Sequence, residues 1–325
     1  MNHISVGFSI HRPEIVPVTA RIMEQHDVIF LEEPPEAGFE NMLNRSLGVE
    51  DYLMPLDLEY PEFSRSMCYL ERDLYAKGKK LIQIEPFVEA LLSVHEFFAQ
   101  GNKPGDLKRN TLPYFVYLVE RNASGALLEY YQTAMIGSFE QTIASVKKFA
   151  RADAARFRLR DSLRSQEIAR QAGSHLSIFV EAGMIHFYLW QQLRRKLKGS
   201  FRVQPVFLDR AALQLPNKHH HTYSPGDQLT LAYVFHPGLS CDKWESLMAA
   251  RSIVYSKIIQ KEENRGDPTL FFHLTDEIDC IRTARMLSFR DCKLLYNLIR
   301  HVGTAKARLA VADYIKTHYH KHVLL

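Results

Sequence analysis

Cysteine is scarce in this 325-residue chain: Cys68, Cys241, Cys280 and Cys292 lie far apart and none forms a C-x-x-C pair. Without that spacing, zinc knuckles and dithiol redox motifs are excluded, and free thiols in a reducing compartment are expected. Long apolar runs are also missing. No stretch of 18 uncharged apolar residues occurs, so no membrane span is expected. The opening MNHISVGFSIHRPE has no basic segment leading into an apolar core, so it is not read as a secretory signal, and a cytoplasmic location is expected. Excess charge is small. A formal net charge of +4 falls short of a nucleic-acid footprint, so the expected partner is a small-molecule or peptide substrate rather than a nucleic acid or a membrane.

What remains is an ordinary globular composition, 46% hydrophobic and 24% charged, sufficient for a sizeable core. Ile4–Ile10 and Val28–Leu31 are short apolar runs that predict strands, with Pro13, Ile15, Val18, Ile22 and Met23 at helical spacing between them. Residues 38–78 predict amphipathic helices broken around Pro55 and Pro61, leading to a third strand at Leu81–Ile84. A long helical stretch, interrupted at Gly101–Gly105, precedes a fourth strand at Leu176–Val180. A helix from Phe187 to Leu197 and a fifth strand at Phe201–Leu208 follow. Continuous apolar runs alternating with helices indicate an α/β fold, a central and mostly parallel sheet flanked by helices. Beyond Asp209 the strand signals fade: Gln228–Phe235 fits a short strand or a helix, and residues 242–262 and 288–322 predict helices. The expected division is a sheet domain over 1–209 and a mainly helical C-terminal extension over 210–325.

Open parallel sheets bind ligands beyond the carboxyl ends of their strands, which directs attention to the residue following each run. Those residues are His11, Glu32 with Glu33, Glu85 and His186. Two imidazoles and two carboxylates that converge can hold a divalent metal and acidify its water, or can activate water directly with a histidine as general base. The sequence leaves both designs open. Each position also has a plainer reading: His11 as a hydrogen-bonded turn residue, one of Glu32 and Glu33 as solvated, and Glu85 as a cap on the helix after Pro86. The arginine run around Arg160-Asp161 reads as a solvated basic face with Asp161 and Arg164 paired along it. The sharper alternative makes Arg160 an anion-binding group. Histidines 219–221, 318, 320 and 322 are read as loop and tail residues rather than metal ligands.

As a set, these pieces resemble a known group. LRDSLRSQEIARQAGSHLSIFVEAGMIHFYLWQQL is similar to the erythromycin-esterase/ChaN-like pattern of an Arg-Asp helix, an apolar strand and a histidine-bearing turn. Gly183-Met184-Ile185-His186 fits the Gly-x-x-His of the TraB/Tiki-like pattern, and the first 36 residues are similar to the group's opening strand, turn, helix and second strand. One departure is that Gly7-Phe8-Ser9-Ile10-His11 is a residue longer than Gly-x-x-His. The resemblance covers roughly residues 4–209. It implies a shared α/β fold with catalytic residues His11, Glu32, Arg160 and His186, of which His11, Glu32 and His186 would hold any divalent metal (Mn, Co or Zn); Glu85 is added to the catalytic set from its strand-end position, and no other cofactor is expected.

The function expected on this basis is a hydrolase, metal-dependent or not, that activates water against an ester, amide or lactone, with Arg160 stabilising the oxyanion. The alternatives are a non-catalytic binder of a metal, haem or anion, or an interaction scaffold built on the helical tail.

Overall fold

The computed structural model describes residues 2–173, 177–213, 223–263 and 270–319. By compactness the chain divides into two units: residues 1–118, 156–219 and 263–272 form one, and residues 119–155, 220–262 and 273–325 the other. The expected boundary at 209/210 falls near one of these edges. However, the segment 119–155 groups with the C-terminal residues, so both units are discontinuous in sequence.

The first unit contains the sheet. Its strands are β1 (Asn2–Ser9), β2 (Val28–Leu31), β3 (Lys80–Gln83), β4 (Ser177–Gly183) and β5 (Phe201–Phe207). They run in the order β3-β2-β4-β1-β5, and every pairing is parallel. The connections are a 3-10 turn at Pro13–Ile15, then α1 (Val16–Met23), α2 (Phe39–Leu43), α3 (Val49–Leu53), α4 (Pro61–Ala76), α5 (Pro86–Ala99), α6 (Leu112–Ile136), α7 (Phe139–Ala172), α8 (Phe187–Lys196) and α9 (Leu208–Leu213). The division between the units falls within α6 and α7.

Strand alternation explains how the sheet is covered. Ile4, Val6 and Phe8 on β1, Val28 and Phe30 on β2, and Ile178, Val180 and Ala182 on β4 share one face, packed on Ile168 and Ala172 of α7 and Leu189 and Leu193 of α8. The other face carries Ser5, whose Oγ lies 3.0 Å from His26 Nε2 just after α1. A parallel sheet covered on both sides leaves only its strand ends open.

The second unit is helical. It holds α10 (Pro225–Phe235), α11 (Asp242–Ile258), α12 (Phe272–Met286), α13 (Phe289–Ile299) and α14 (Thr304–Tyr319), apart from the first residue of α12, with the adjoining parts of α6 and α7. Ser224 with Asp227, and Ser288 with Asp291, form capping boxes that set the starts of α10 and α13. Gln228–Phe235 is therefore helix. The expected helix over 288–322 is two helices broken at 300–303, and α12 has no counterpart among the expected elements, because its buried face carries only two large aliphatic side chains, Leu274 and Ile281. All four cysteines are free, with Cys68, Cys280 and Cys292 buried. Among the described residues no helix is long and apolar enough to cross a membrane. His318 is exposed and bonds through Nδ1 to Tyr314 O at 2.9 Å, as a surface helix residue does; residues 219–221, 320 and 322 lie outside the described set.

Candidate functional site

Glu32 is the hub. It follows β2, its side chain is 7% exposed, and its two oxygens divide the work. Oε1 lies 2.9 Å from His186 Nε2 and accepts from Arg160 Nη2 at 3.2 Å. Oε2 accepts the Gly183 main-chain N–H at 2.5 Å and sits 3.9 Å from His11 Nε2 and 3.8 Å from Arg164 Nη1. The four strand-end residues expected from sequence thus meet at one place, with β1, β2, β3 and β4 each delivering one.

His186 begins α8 and is held at both ring nitrogens. Nε2 meets Glu32, and Nδ1 lies 2.5 Å from Asp161 Oδ1 on α7. The other Asp161 oxygen accepts the Leu189 N–H at 3.0 Å, so one buried carboxylate both caps α8 and orients the imidazole. Burial alone would push the His186 pKa down, but Glu32 and Asp161 outweigh it and raise it to about 9. The same balance acts in reverse on Glu32: burial opposes ionisation, yet His186, Arg164 and Arg160 hold it well below the usual carboxylate range.

His11 differs. Its side chain is 30% exposed, and its backbone has φ 52°, left-handed territory that costs a residue with a β-carbon. The main-chain N–H donates to Ser9 Oγ at 3.0 Å and the ring stacks on Phe63 at 5.1 Å. Desolvation lowers its pKa, with Glu32 opposing and His186 and Arg160 reinforcing. The close approach depends on Gly183, where a β-carbon would lie 3.3 Å from His11 Cε1 and 3.5 Å from His186 Cδ2.

The arginine run is not wholly a solvated face, because α7 turns Arg160 and Arg164 into the site while Arg170 stays exposed. Arg160 Nε donates to Glu85 Oε2 at 3.0 Å while its side chain keeps 24% exposure, and Glu32 and Glu85 prevail over desolvation to raise its pKa. Arg164, one turn on, is fully buried; its Nε donates to Ile84 O at 2.9 Å, and Nη1 and Nη2 have no hydrogen-bond partner among the described residues. Glu85 does not cap α5 with its side chain; it is 0% exposed and lies against both arginines. Glu33 is also drawn in, accepting from Gln83 Nε2 at 3.1 Å, so neither glutamate after β2 is simply solvated. Asp161, Arg164 and Gly183 are the site residues that the strand-end rule passes over, the first two because they come from a helix. The Arg-Asp pair of the resemblance was the one pointer to Asp161, which faces His186.

As arranged, these groups do not suit a divalent metal at His11, Glu32 and His186. Both ring nitrogens of His186 are engaged by carboxylates, and two guanidinium groups face the same Glu32 carboxylate. Among the described residues no group of three or more histidine, cysteine or acidic side chains could hold a metal ion.

A protein of Archaeoglobus fulgidus, described as an uncharacterized protein, is 24% identical over 272 residues, spanning 83% of this chain and 89% of that one. No known family profile and no solved structure matches the chain.

Proposed function

We propose that the chain is a hydrolase that activates water directly, without a metal, against an ester, amide or lactone carbonyl. The observation behind this reading is that two histidines flank Glu32 in contrasting settings: His11 is partly exposed, with desolvation lowering its pKa, while His186 is buried between Glu32 and Asp161, which raise its pKa to about 9. Of two such imidazoles, the one held down is available as a base, while the one held up stays bonded to the shared carboxylate.

Water held at His11 gives its proton to the imidazole as its oxygen bonds to the carbonyl carbon. Glu32 Oε2, 3.9 Å from Nε2 before substrate arrives, stabilises the imidazolium that forms. The carbonyl π electrons move to oxygen, where the open edge of Arg160 stabilises the charge. When the intermediate collapses, the carbon–oxygen or carbon–nitrogen bond breaks and the leaving group takes the proton back from His11. His186, Asp161, Arg164 and Glu85 hold Glu32 and Arg160 in place.

A panel of p-nitrophenyl esters, anilides and simple lactones tests this, with EDTA-treated protein in parallel. Turnover that survives chelation and falls by roughly 10²-fold or more in His11→Ala is expected. Equal turnover in His11→Ala, or complete loss on chelation, would remove the mechanism.

A further inference from the structure

Behind Glu32, on the sheet face opposite the apolar cluster, lies a group of carboxyls that the chemistry above does not use. Glu181 is on β4, the middle strand of the five, and is 7% exposed; Glu71 on α4 is 1% exposed, and its Oε2 has no hydrogen-bond partner among the described residues. Glu33, past the end of β2, interacts electrostatically with both. A carboxyl on a central strand is costly unless something needs it there.

The surroundings supply little positive charge. The groups bearing on these carboxyls are Glu32 and Glu33 from the end of β2, Gln83 from β3, Tyr52 from α3, Cys68 and Glu71 from α4, and Arg164 from α7. Across the β1 pairing, Glu181 meets Gly7, which has no side chain. Arg164 is the single cation among them, and its ion pairs are with Glu32 and Glu85. Burial pushes Glu181 up to about 8, with Glu33 adding to the rise, and it raises Glu71 and Glu33 as well. Glu181, at about 8, therefore keeps its proton at neutral pH.

Its link to the site is a single bond. The β2–β4 ladder ends at Phe30↔Val180, which leaves the Glu32 N–H beyond the sheet and in need of an acceptor. Glu181 Oε2 supplies it at 3.1 Å. Two residues on, the Gly183 N–H grips the Glu32 carboxylate, so β4 holds Glu32 at both its main chain and its side chain.

We infer that Glu181 is a positioning residue for the candidate site, its buried carboxyl fixing the main chain of Glu32 so that the Glu32 carboxylate reaches both histidines. The inference rests on the reading of Glu32 as their shared anion. A glutamine here reproduces a neutral acid, with the same reach and the same acceptor. Leucine removes the acceptor, and aspartate keeps the acid but falls one methylene short.

The test is the protonation state of His186 by nitrogen NMR on histidine-labelled protein at neutral pH, a readout independent of any substrate. Wild type and Glu181→Gln should both show an imidazolium with both ring nitrogens protonated. Glu181→Leu should lose that signal, and if it fails to fold, Glu181→Asp should lose it. On any ester that wild type turns over, the Leu or Asp variant should lose roughly 10²-fold in kcat with KM little changed, while Gln stays within a few-fold of wild type. An imidazolium that persists in Leu and Asp, or that Gln loses as they do, overturns the inference. Absence of turnover in wild type would sink the hydrolase reading, while the NMR comparison would still decide the role of Glu181.

Discussion

Asp161 Oδ1 lies 2.5 Å from His186 Nδ1, across 25 residues of sequence, with both side chains buried. Asp161→Asn keeps an oxygen for the Leu189 N–H but removes the negative charge that favours the imidazolium. The expected result is a native far-UV spectrum with kcat down by roughly 10²–10⁴-fold. A variant with wild-type kcat would show that the charge of His186 is irrelevant to turnover.

Strain at His11 predicts a trade between stability and activity. At φ 52° a β-carbon is penalised by about 1–2 kcal/mol, and glycine recovers that less its own unfolded-chain entropy. Both His11→Gly and His11→Ala should be inactive. In urea, Gly should be the more stable of the two by about 0.5–1 kcal/mol, and the reverse order would argue against a strained conformation in solution.

Gly183→Ala asks whether the closeness of the histidines matters. A β-carbon 3.3 Å from His11 Cε1 is tighter than usual, and the exposed His11 ring is the neighbour able to yield. Turnover should fall by about tenfold or more as His11 leaves Glu32, with the unfolding midpoint little changed. Unaltered activity would place His11 outside the chemistry.

Removing the Arg164 head group leaves Glu85 and Glu32 short of a buried cation. Arg164→Met should destabilise the protein by about 3–5 kcal/mol in chemical denaturation. The paired change Arg164→Met with Glu85→Leu should recover much of that. A single variant as stable as wild type would mean that the ion pair contributes nothing.

Stability should fall from pH 6.5 to 9. The folded-state pKa of His186 is raised from 6.5 to about 9, so its contribution is complete below 6.5 and disappears as pH rises through 9. Glu181, raised from 4.5 to about 8, acts in the same direction, because the unfolded chain ionises it first. His11 and His26, both held below 6.5, are neutral in folded and unfolded chains through most of this window and do not compensate. Urea midpoints measured across the window should drop steadily, and a flat profile would contradict the protonation assigned to His186.

The sheet was legible because its strands are short, apolar-rich segments set between helical ones, and the polar residues His11, Glu32, Glu85 and His186 that come after the first four lie together at the strand ends. The inward turn of Arg160 and Arg164 was not. For Arg160 it depends on carboxylates 128 and 75 residues away, and nothing local separates such a helix face from a solvated one. For Asp161, the nearby Arg164 is the obvious partner at helical spacing, whereas the actual partner arrives from the turn after β4. Glu181 directly follows the expected strand Leu176–Val180 but was passed over for His186 in the turn beyond, and β4 in fact continues through Gly183, which makes Glu181 a strand residue. The helix Phe272–Met286 went unseen because its buried face, His273, Leu274, Cys280, Ile281 and Ala284, carries only two large aliphatic side chains.

Arg160, Arg164 and His186 each have a carboxylate within 4.0 Å, so the site is internally balanced. Balanced charges project a weak field beyond the crevice mouth. Encounter with a substrate then relies on short-range contact rather than steering from afar, and kcat/KM should barely respond when added salt shortens the Debye length from about 30 Å to about 8 Å.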